Sequence, residues 1–197
     1  MNVFVKICGL SERQHVDAAI DAGANALGFV FADSVRKVSP AHAREISGGV
    51  PADVKRVAVM LHPANEEWLD VLRVFEPDVL QTDAADFESL DVPYPVECWP
   101  VFREGGTGPN VAGTFVYEGP QSGQGETVDW SAAATLAADG KMILAGGLGV
   151  DNVADAIATV QPFGVDVSSG VESSPGAKDP VRIEQFISAV RAAEKDL

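Results

Sequence analysis

The sequence contains little sulfur and little histidine, which limits metal and redox chemistry. Its 197 residues include two cysteines, Cys8 and Cys98, and three histidines. The cysteines form no CxxC pair, and no histidine has a partner at metal-ligand spacing, so a zinc site is not indicated. We therefore expect no metal and no cofactor. We also interpret Cys98 as a core residue and the histidines as non-catalytic.

Basic residues and long apolar runs are scarce too. The chain has 14 Lys and Arg residues and 29 Asp and Glu residues, which gives a net charge of −15. Nucleic acids and anionic membranes require a basic surface, so we expect neither as a partner. No apolar run approaches the roughly 20 residues that span a bilayer, and no secretion signal is recognisable, which indicates a cytoplasmic protein. The scattered acids also raise the hypothesis of a high-salt cytoplasm, which melting curves across KCl concentrations would test.

The chain does contain a repeated alternation of short apolar runs and amphipathic stretches. The runs are continuous, as in parallel strands covered on both faces, and lie at 3–7, 26–31, 54–61, 79–81, 96–99, 114–117, 141–145 and 164–167. Helices are predicted at 11–21, 40–47, 65–75, 131–138, 151–159 and 180–193. Three of them are predicted to start at Ser11, Asn65 and Asp151.

Eight strand-and-helix units favour a compact (β/α)8 TIM barrel formed by one domain, residues 1–197. The segments 83–90 and 104–111 are weakly periodic, so we expect shortened helices after strands four and five. An open doubly wound sheet is the alternative, but no GxGxxG follows the first strand. Active sites of TIM barrels lie at the carboxyl ends of the strands, so these ends supply the candidate residues.

Two loops have the composition of a phosphate site. Gly146 and Gly147 follow strand seven, and Ser168, Ser169 and Gly170 follow strand eight. These are the loops that hold phosphate in many barrels, and small residues leave the backbone N–H groups accessible. Ordinary turns are the alternative interpretation for each loop taken singly.

A thiol and a carboxyl group are the candidate proton carriers. Cys8 lies at the end of strand one on the same side as Lys6, and a nearby cation would favour the thiolate. Glu118 lies at the end of strand six, where partial burial would favour the protonated form that a proton donor needs. An inert core thiol and an exposed loop glutamate are the alternatives.

Two further charged residues are candidates for substrate binding. Arg36, after strand two, has a guanidinium that can clamp a carboxylate or a phosphate, although a surface salt bridge is favoured by its spacing alone. Asp166 precedes the end of strand eight and either binds substrate or orients a loop or a lysine.

Several motifs identify a family resemblance over nearly the whole chain. They are VKICGL at 5–10, GFVFADSVRKVSP at 28–40, GQGETVDWS at 123–131, LAGGLGVDNVADAI at 144–157 and PFGVDVSSGVESSPGAKD at 162–179. In this order they resemble the phosphoribosylanthranilate isomerases of tryptophan biosynthesis. The resemblance implies an acid–base Amadori rearrangement of a phosphorylated amino-sugar, without a cofactor, by a monomer or homodimer.

The resemblance also implies roles for individual residues. Cys8 matches the general base, and Arg36 matches the arginine associated with the anthranilate carboxylate. The phosphate would be held by the small residues of the last two loops, which are Gly146, Gly147, Ser168, Ser169 and Gly170.

Two positions depart from the family pattern. The general acid is usually an aspartate at the end of strand six, where this chain has Glu118, and Asp129 is the alternative acid. After strand four the family commonly reads Q-L-H-G, whereas this chain reads Gln81, Thr82, Asp83 and Ala84. These departures leave open a non-catalytic phosphate-ligand-binding barrel, another phosphosugar barrel enzyme, or a second aminoaldose substrate.

Overall fold

A computed structural model of the chain describes residues 2–106, 113–120, 127–138 and 140–196. Eight parallel strands close into a barrel in chain order, with β8 pairing with β1. The strands are β1 (Phe4–Cys8), β2 (Ala26–Val30), β3 (Lys55–Val59), β4 (Val79–Asp83), β5 (Glu97–Arg103), β6 (Thr114–Glu118), β7 (Lys141–Leu144) and β8 (Gly164–Val167). The predicted (β/α)8 barrel is confirmed.

Helices connect most of the strands on the outside of the barrel. They are α1 (Arg13–Asp21), α2 (Pro40–Ile46), α3 (Asn65–Phe75), α4 (Trp130–Ala137), α5 (Val153–Val160) and α6 (Pro180–Ala193). An antiparallel hairpin of β9 (Glu172–Ser174) and β10 (Ala177–Lys178) lies between β8 and α6. Within the described parts of the chain, no helix has the length and apolar character needed to cross a membrane.

The shortened helix predicted after strand four is a 3-10 helix, Ala84–Glu88. After β5, Gly106 N–H donates to the Arg103 carbonyl at 3.0 Å, closing a turn. The remainder of the shortened helix predicted at 104–111 lies outside the described residues.

One of the three predicted helix starts is confirmed, since α3 begins at Asn65. The other two were predicted two residues too early: α1 begins at Arg13 rather than Ser11, and α5 begins at Val153 rather than Asp151. In α3 the Glu67 side chain accepts from Ala64 N–H at 3.0 Å, so an acid inside the first turn satisfies a backbone donor at the start of the helix.

Side-chain alternation divides each strand between two cores. In β1, Val5 and Ile7 pack outward against the helices, whereas Phe4 packs against the barrel interior. Because the period of a strand is two residues, Lys6 and Cys8 share the inner face with Phe4. The apolar residues that fill the interior are Ala26, Val57, Val79, Trp99, Val101, Val116, Ile143 and Ala145.

Strands β4 and β5 extend beyond their predicted ends at 81 and 99. They end at Asp83 and Arg103, and Arg103 is the register partner of Glu118 on β6. By alternation from the buried interior residues Val79 and Val101, both end residues lie on the inner face. Three adjacent strands therefore end in an inward-facing charged residue.

Cys98 is not a core residue, contrary to the prediction. It is exposed and is the second residue of β5, at the amino end of the barrel. The described residues that follow β5 form a turn rather than a helix that would cover the outer face of this strand.

Candidate active site

A pocket opens at the carboxyl ends of the strands, as expected for a barrel. It brings together eight of the nine predicted site residues, which are Cys8, Arg36, Glu118, Gly146, Gly147, Asp166, Ser168 and Ser169. The ninth, Gly170, lines an adjoining groove that shares Gly147 and Ser169 with the pocket.

Cys8 lies beside a buried ion pair. Lys6 is fully buried and donates from Nζ to Asp166 Oδ2 at 2.9 Å. Burial raises the pKa of the Cys8 thiol, and the Lys6 cation acts in the opposite direction. Burial lowers the pKa of Lys6, but the Asp166 and Cys8 charges more than compensate and raise it overall. Lys6 is therefore held as a cation next to the thiol.

Two acceptors in this pocket have no hydrogen-bond partner among the described residues. They are Asp166 Oδ1 and Gln81 Oε1, and both residues are more than nine-tenths buried. Buried acceptors normally have partners because an unpaired polar group costs about 1–3 kcal/mol. Both atoms are thus available to hydroxyl donors of a ligand.

Arg36 is held by a second buried cluster. Its Nε and Nη2 donate to the two carboxylate oxygens of Glu172 at 2.7 and 2.9 Å. Lys178 Nζ donates to Glu172 Oε1 at 2.7 Å. Burial raises the pKa of Glu172, but the bonds from Arg36 and Lys178 outweigh it and lower the pKa to about 2. Arg36 does form a salt bridge, but a buried one, which leaves Nη1 without a recorded partner among the described residues.

The two predicted phosphate loops are fixed by side chains. Gly146 and Gly147 have φ values of 91° and 60°, in the left-handed region that glycine adopts without strain. Asn152 Nδ2 donates to the Gly147 carbonyl at 2.9 Å. Lys178 Nζ donates to the Ser168 carbonyl at 2.9 Å and to its hydroxyl at 3.1 Å.

Gly170 allows the two loops to approach each other. A Cβ atom at this position would lie 2.0 Å from the Leu148 carbonyl oxygen and 2.9 Å from Gly149 Cα. Both contacts are far shorter than van der Waals distance, so the seventh and eighth loops meet only because residue 170 has no side chain.

Glu118 shares an arginine with Asp83. Arg103 Nη1 donates to Glu118 Oε1, and Arg103 Nη2 donates to Asp83 Oδ1 at 2.5 Å. All three side chains are largely buried and line the pocket. Sequence reasoning missed Arg103 because it ended strand five at Trp99.

Asp129, the alternative acid, has a structural contact instead. Its carboxylate caps α4 by accepting from Ser131 N–H at 2.8 Å and Ala132 N–H at 3.2 Å. It is exposed and is not among the residues that line the pocket. The geometry favours Glu118 over Asp129 as a group that reaches a ligand.

Comparison with known proteins identifies the family. Residues 5–189 match the model of the family described as N-(5'phosphoribosyl)anthranilate (PRA) isomerase. The chain belongs to the phosphoribosylanthranilate isomerase family. A member from Streptococcus pneumoniae (strain Taiwan19F-14), N-(5'-phosphoribosyl)anthranilate isomerase, is 39% identical over 191 residues, which cover 95% of each chain.

Solved structures of the isomerase family have the same fold. TrpF from Jonesia denitrificans is 34% identical, with a TM-score of 0.81 over 98% of each chain. A phosphoribosyl anthranilate isomerase in complex with reduced 1-(o-carboxyphenylamino)-1-deoxyribulose 5-phosphate is 29% identical, with a TM-score of 0.78 over 96% of this chain and 99% of that one. The resemblance read from the motifs is confirmed.

Proposed function

We propose that the protein converts N-(5'-phosphoribosyl)anthranilate to 1-(2-carboxyphenylamino)-1-deoxyribulose 5-phosphate, the rearrangement associated with its family in tryptophan biosynthesis. The observation that carries this proposal is the shared pocket of Cys8, Glu118 and the loops after β7 and β8. Support comes from the family relative whose complex contains a reduced form of this product.

In the first step, Glu118 in its protonated form donates a proton to the furanose ring oxygen. The C1–O bond breaks, and the nitrogen lone pair forms an iminium ion at C1. In the second step, the Cys8 thiolate removes the proton from C2. The C–H electrons form a C1–C2 double bond, and the iminium becomes a neutral enolamine, which gains a proton at C1 and loses its hydroxyl proton to give the ketone. No metal or redox cofactor enters these steps.

The surroundings of Cys8 act on the thiol in opposite directions. Burial is the largest effect and raises the pKa of Cys8 overall, whereas the Lys6 cation lowers it and favours the thiolate. Asp166 holds the Lys6 cation at 2.9 Å, so the positive charge stays beside the sulfur. We infer that Lys6 stabilises the thiolate during proton removal without donating to the substrate itself.

Three parts of the pocket would bind the substrate. The β7 and β8 loops receive the phosphate at Gly146, Gly147, Ser168, Ser169 and Gly170. Arg36 presents Nη1 to the anthranilate carboxylate while Glu172 holds the other edge of its guanidinium. The unpartnered oxygens of Asp166 and Gln81 accept from the sugar hydroxyls.

A pair of variants tests the general acid. Glu118→Gln should lower kcat by about 10²–10⁴-fold, because a carboxamide cannot donate the required proton. Asp129→Asn should retain most of the turnover, because Asp129 only caps α4. Steady-state rates followed by the fluorescence of the anthranilate adduct distinguish the two, and the reverse pattern would assign the acid to Asp129.

The same assay on the parent protein tests the function itself. Rapid loss of substrate fluorescence is expected. Phosphate-ligand binding without turnover would indicate the non-catalytic barrel, and turnover of another phosphosugar alone would indicate a different barrel enzyme. Sedimentation of the purified protein would decide between the expected monomer and homodimer.

A further inference from the structure

Two carboxylates at strand ends contact the same guanidinium. Asp83 is the last residue of β4, and Glu118 is the last residue of β6. Arg103 donates one Nη to each carboxylate. Arg103 and Glu118 are register partners on β5 and β6, so the strand pairing brings these two side chains together.

The charge balance around Arg103 is uneven. Its guanidinium bonds the carboxylates of both Asp83 and Glu118, so these two negative charges share this cation. Behind Asp83, His62 Nε2 lies 3.5 Å from the second oxygen of the Asp83 carboxylate, and His62 Nδ1 lies 2.9 Å from Asp86 Oδ1. The hydrogen bond that the Asp86 carboxylate accepts from His62 raises the pKa of His62. After the end of β5, Glu104 donates its backbone N–H to the backbone carbonyl of Glu118 at 3.0 Å.

An arginine bonded to a carboxylate has two effects on a proton donor. It fixes the direction of the carboxylate, which is useful, and it favours the ionised form, which opposes proton donation. A second carboxylate on the same arginine weakens the preference for the ionised form, because its negative charge favours protonation of the first carboxylate. A glutamate side chain has one more rotatable bond than an aspartate side chain, so a contact that fixes the direction of its carboxyl group matters more.

We propose that Arg103 is a positioning residue of the isomerisation and that Asp83 moderates it. Arg103 directs the Glu118 carboxyl group into the pocket, and Asp83 takes up part of the guanidinium charge so that Glu118 keeps its proton. This inference rests on the proposed role of Glu118 as the acid.

The test compares Arg103→Gln with Asp83→Asn by two measurements. One is the titration midpoint of the Glu118 carboxyl carbon by ¹³C NMR, with the signal assigned by its loss in Glu118→Gln. Relative to the parent protein, Asp83→Asn should lower the midpoint and Arg103→Gln should raise it, each by about one pH unit. A purely structural role for either residue predicts no such opposite movement.

The second measurement is the split between kcat and KM. Arg103→Gln should lower kcat by about tenfold or more with little change in KM, because the acid is misdirected while the binding groups remain. Arg103→Lys should restore part of kcat, since it keeps the charge but cannot bond both carboxylates in one planar fork. Arg44→Gln, which removes a surface arginine paired with Glu76, is the control and should leave kcat unchanged.

The outcomes separate this inference from the proposed function. If Glu118→Gln keeps full activity, the acid assignment fails and the inference fails with it. If Glu118→Gln is inactive while the two midpoints are unchanged, or move in the same direction, only the inference is overturned. Should Arg103→Gln fail to fold, the lowered midpoint of Asp83→Asn and the reduced kcat of Arg103→Lys at little-changed KM carry the test, and parent-like values of both would overturn the inference.

Discussion

The charged side chains on the two sides of the pocket differ in their exposure to water. On the side of β1 and β8, the side chains of Lys6 and Lys178 are fully buried and paired with carboxylates. On the side of β4 to β6, the side chains of Arg103 and Glu118 retain 21% and 16% exposure. Substituting one member of a fully buried ion pair leaves its partner as an uncompensated charge without water. A partner that is still partly exposed to water can be solvated instead.

The largest effect is expected from the buried side. Cys8→Ser should lower kcat by about a thousandfold, because a hydroxyl is a far weaker acid than a thiol and supplies little of the anionic base. Affinity for the reduced product analogue, measured by calorimetry, should stay within about threefold of the parent value.

Cys98→Ser is the matched control, since Cys98 is exposed at the opposite end of the barrel. Near-normal turnover of Cys8→Ser would refute the base role and remove the functional contrast between the two sides.

A smaller effect, on stability, is expected at the second buried cluster. Glu172→Gln leaves Arg36 and Lys178 without their shared anion, which should lower the free energy of unfolding by about 3 kcal/mol. Urea unfolding at pH 7 measures it. Glu97→Gln, which breaks the exposed pair with Lys55, should change the same quantity by under about 1 kcal/mol. Equal effects of the two substitutions would contradict the contrast between buried and hydrated charges.

The same variant has a distinct pH dependence. The pKa of Glu172 is lowered from 4.5 to about 2 in the folded protein. Its stabilising contribution is therefore complete above pH 4.5 and is lost as the pH falls from 4.5 toward 2. Over that window the parent protein should lose stability more steeply than Glu172→Gln, and parallel curves would show that the cluster does not bind Glu172 as an anion.

The smallest effect is expected where the two phosphate loops meet. Gly170→Ala forces a Cβ against the Leu148 carbonyl and should cost about 1–3 kcal/mol of stability and raise KM. Gly149→Ala is the matched control, because a Cβ there would meet only Gly170 Cα at an ordinary 3.9 Å. If both variants behave alike in thermal unfolding and in KM, the close approach of the loops is unimportant.

Sequence patterns located the buried side of the site better than the hydrated side. Cys8 ends β1, and the β7 and β8 loops follow their strands directly; the apolar runs of all three strands are continuous, so their ends were easy to place. Strand five was predicted to end at Trp99, the last residue of its apolar run. In the barrel, β5 continues through Pro100 to Arg103, so the residue shared by Asp83 and Glu118 was missed.

Pairings between distant residues were beyond sequence reasoning for a different reason. Glu172 lies in a recognised motif, yet its contact with Arg36 joins residues 136 positions apart in the chain. Only the closed barrel brings the loop after β2 next to the hairpin after β8. Helices α1 and α5 begin two residues after the predicted Ser11 and Asp151, and neither is preceded by a residue whose side chain caps the helix.

The most direct test is a crystal structure of the protein with reduced 1-(o-carboxyphenylamino)-1-deoxyribulose 5-phosphate. We expect its phosphate on the β7 and β8 loops, with Cys8 Sγ within roughly 3.5 Å of sugar C2 and the Glu118 carboxyl group on the opposite side of the sugar. A ligand whose phosphate binds elsewhere, or a Cys8 sulfur screened from C2 by other side chains, would contradict the account.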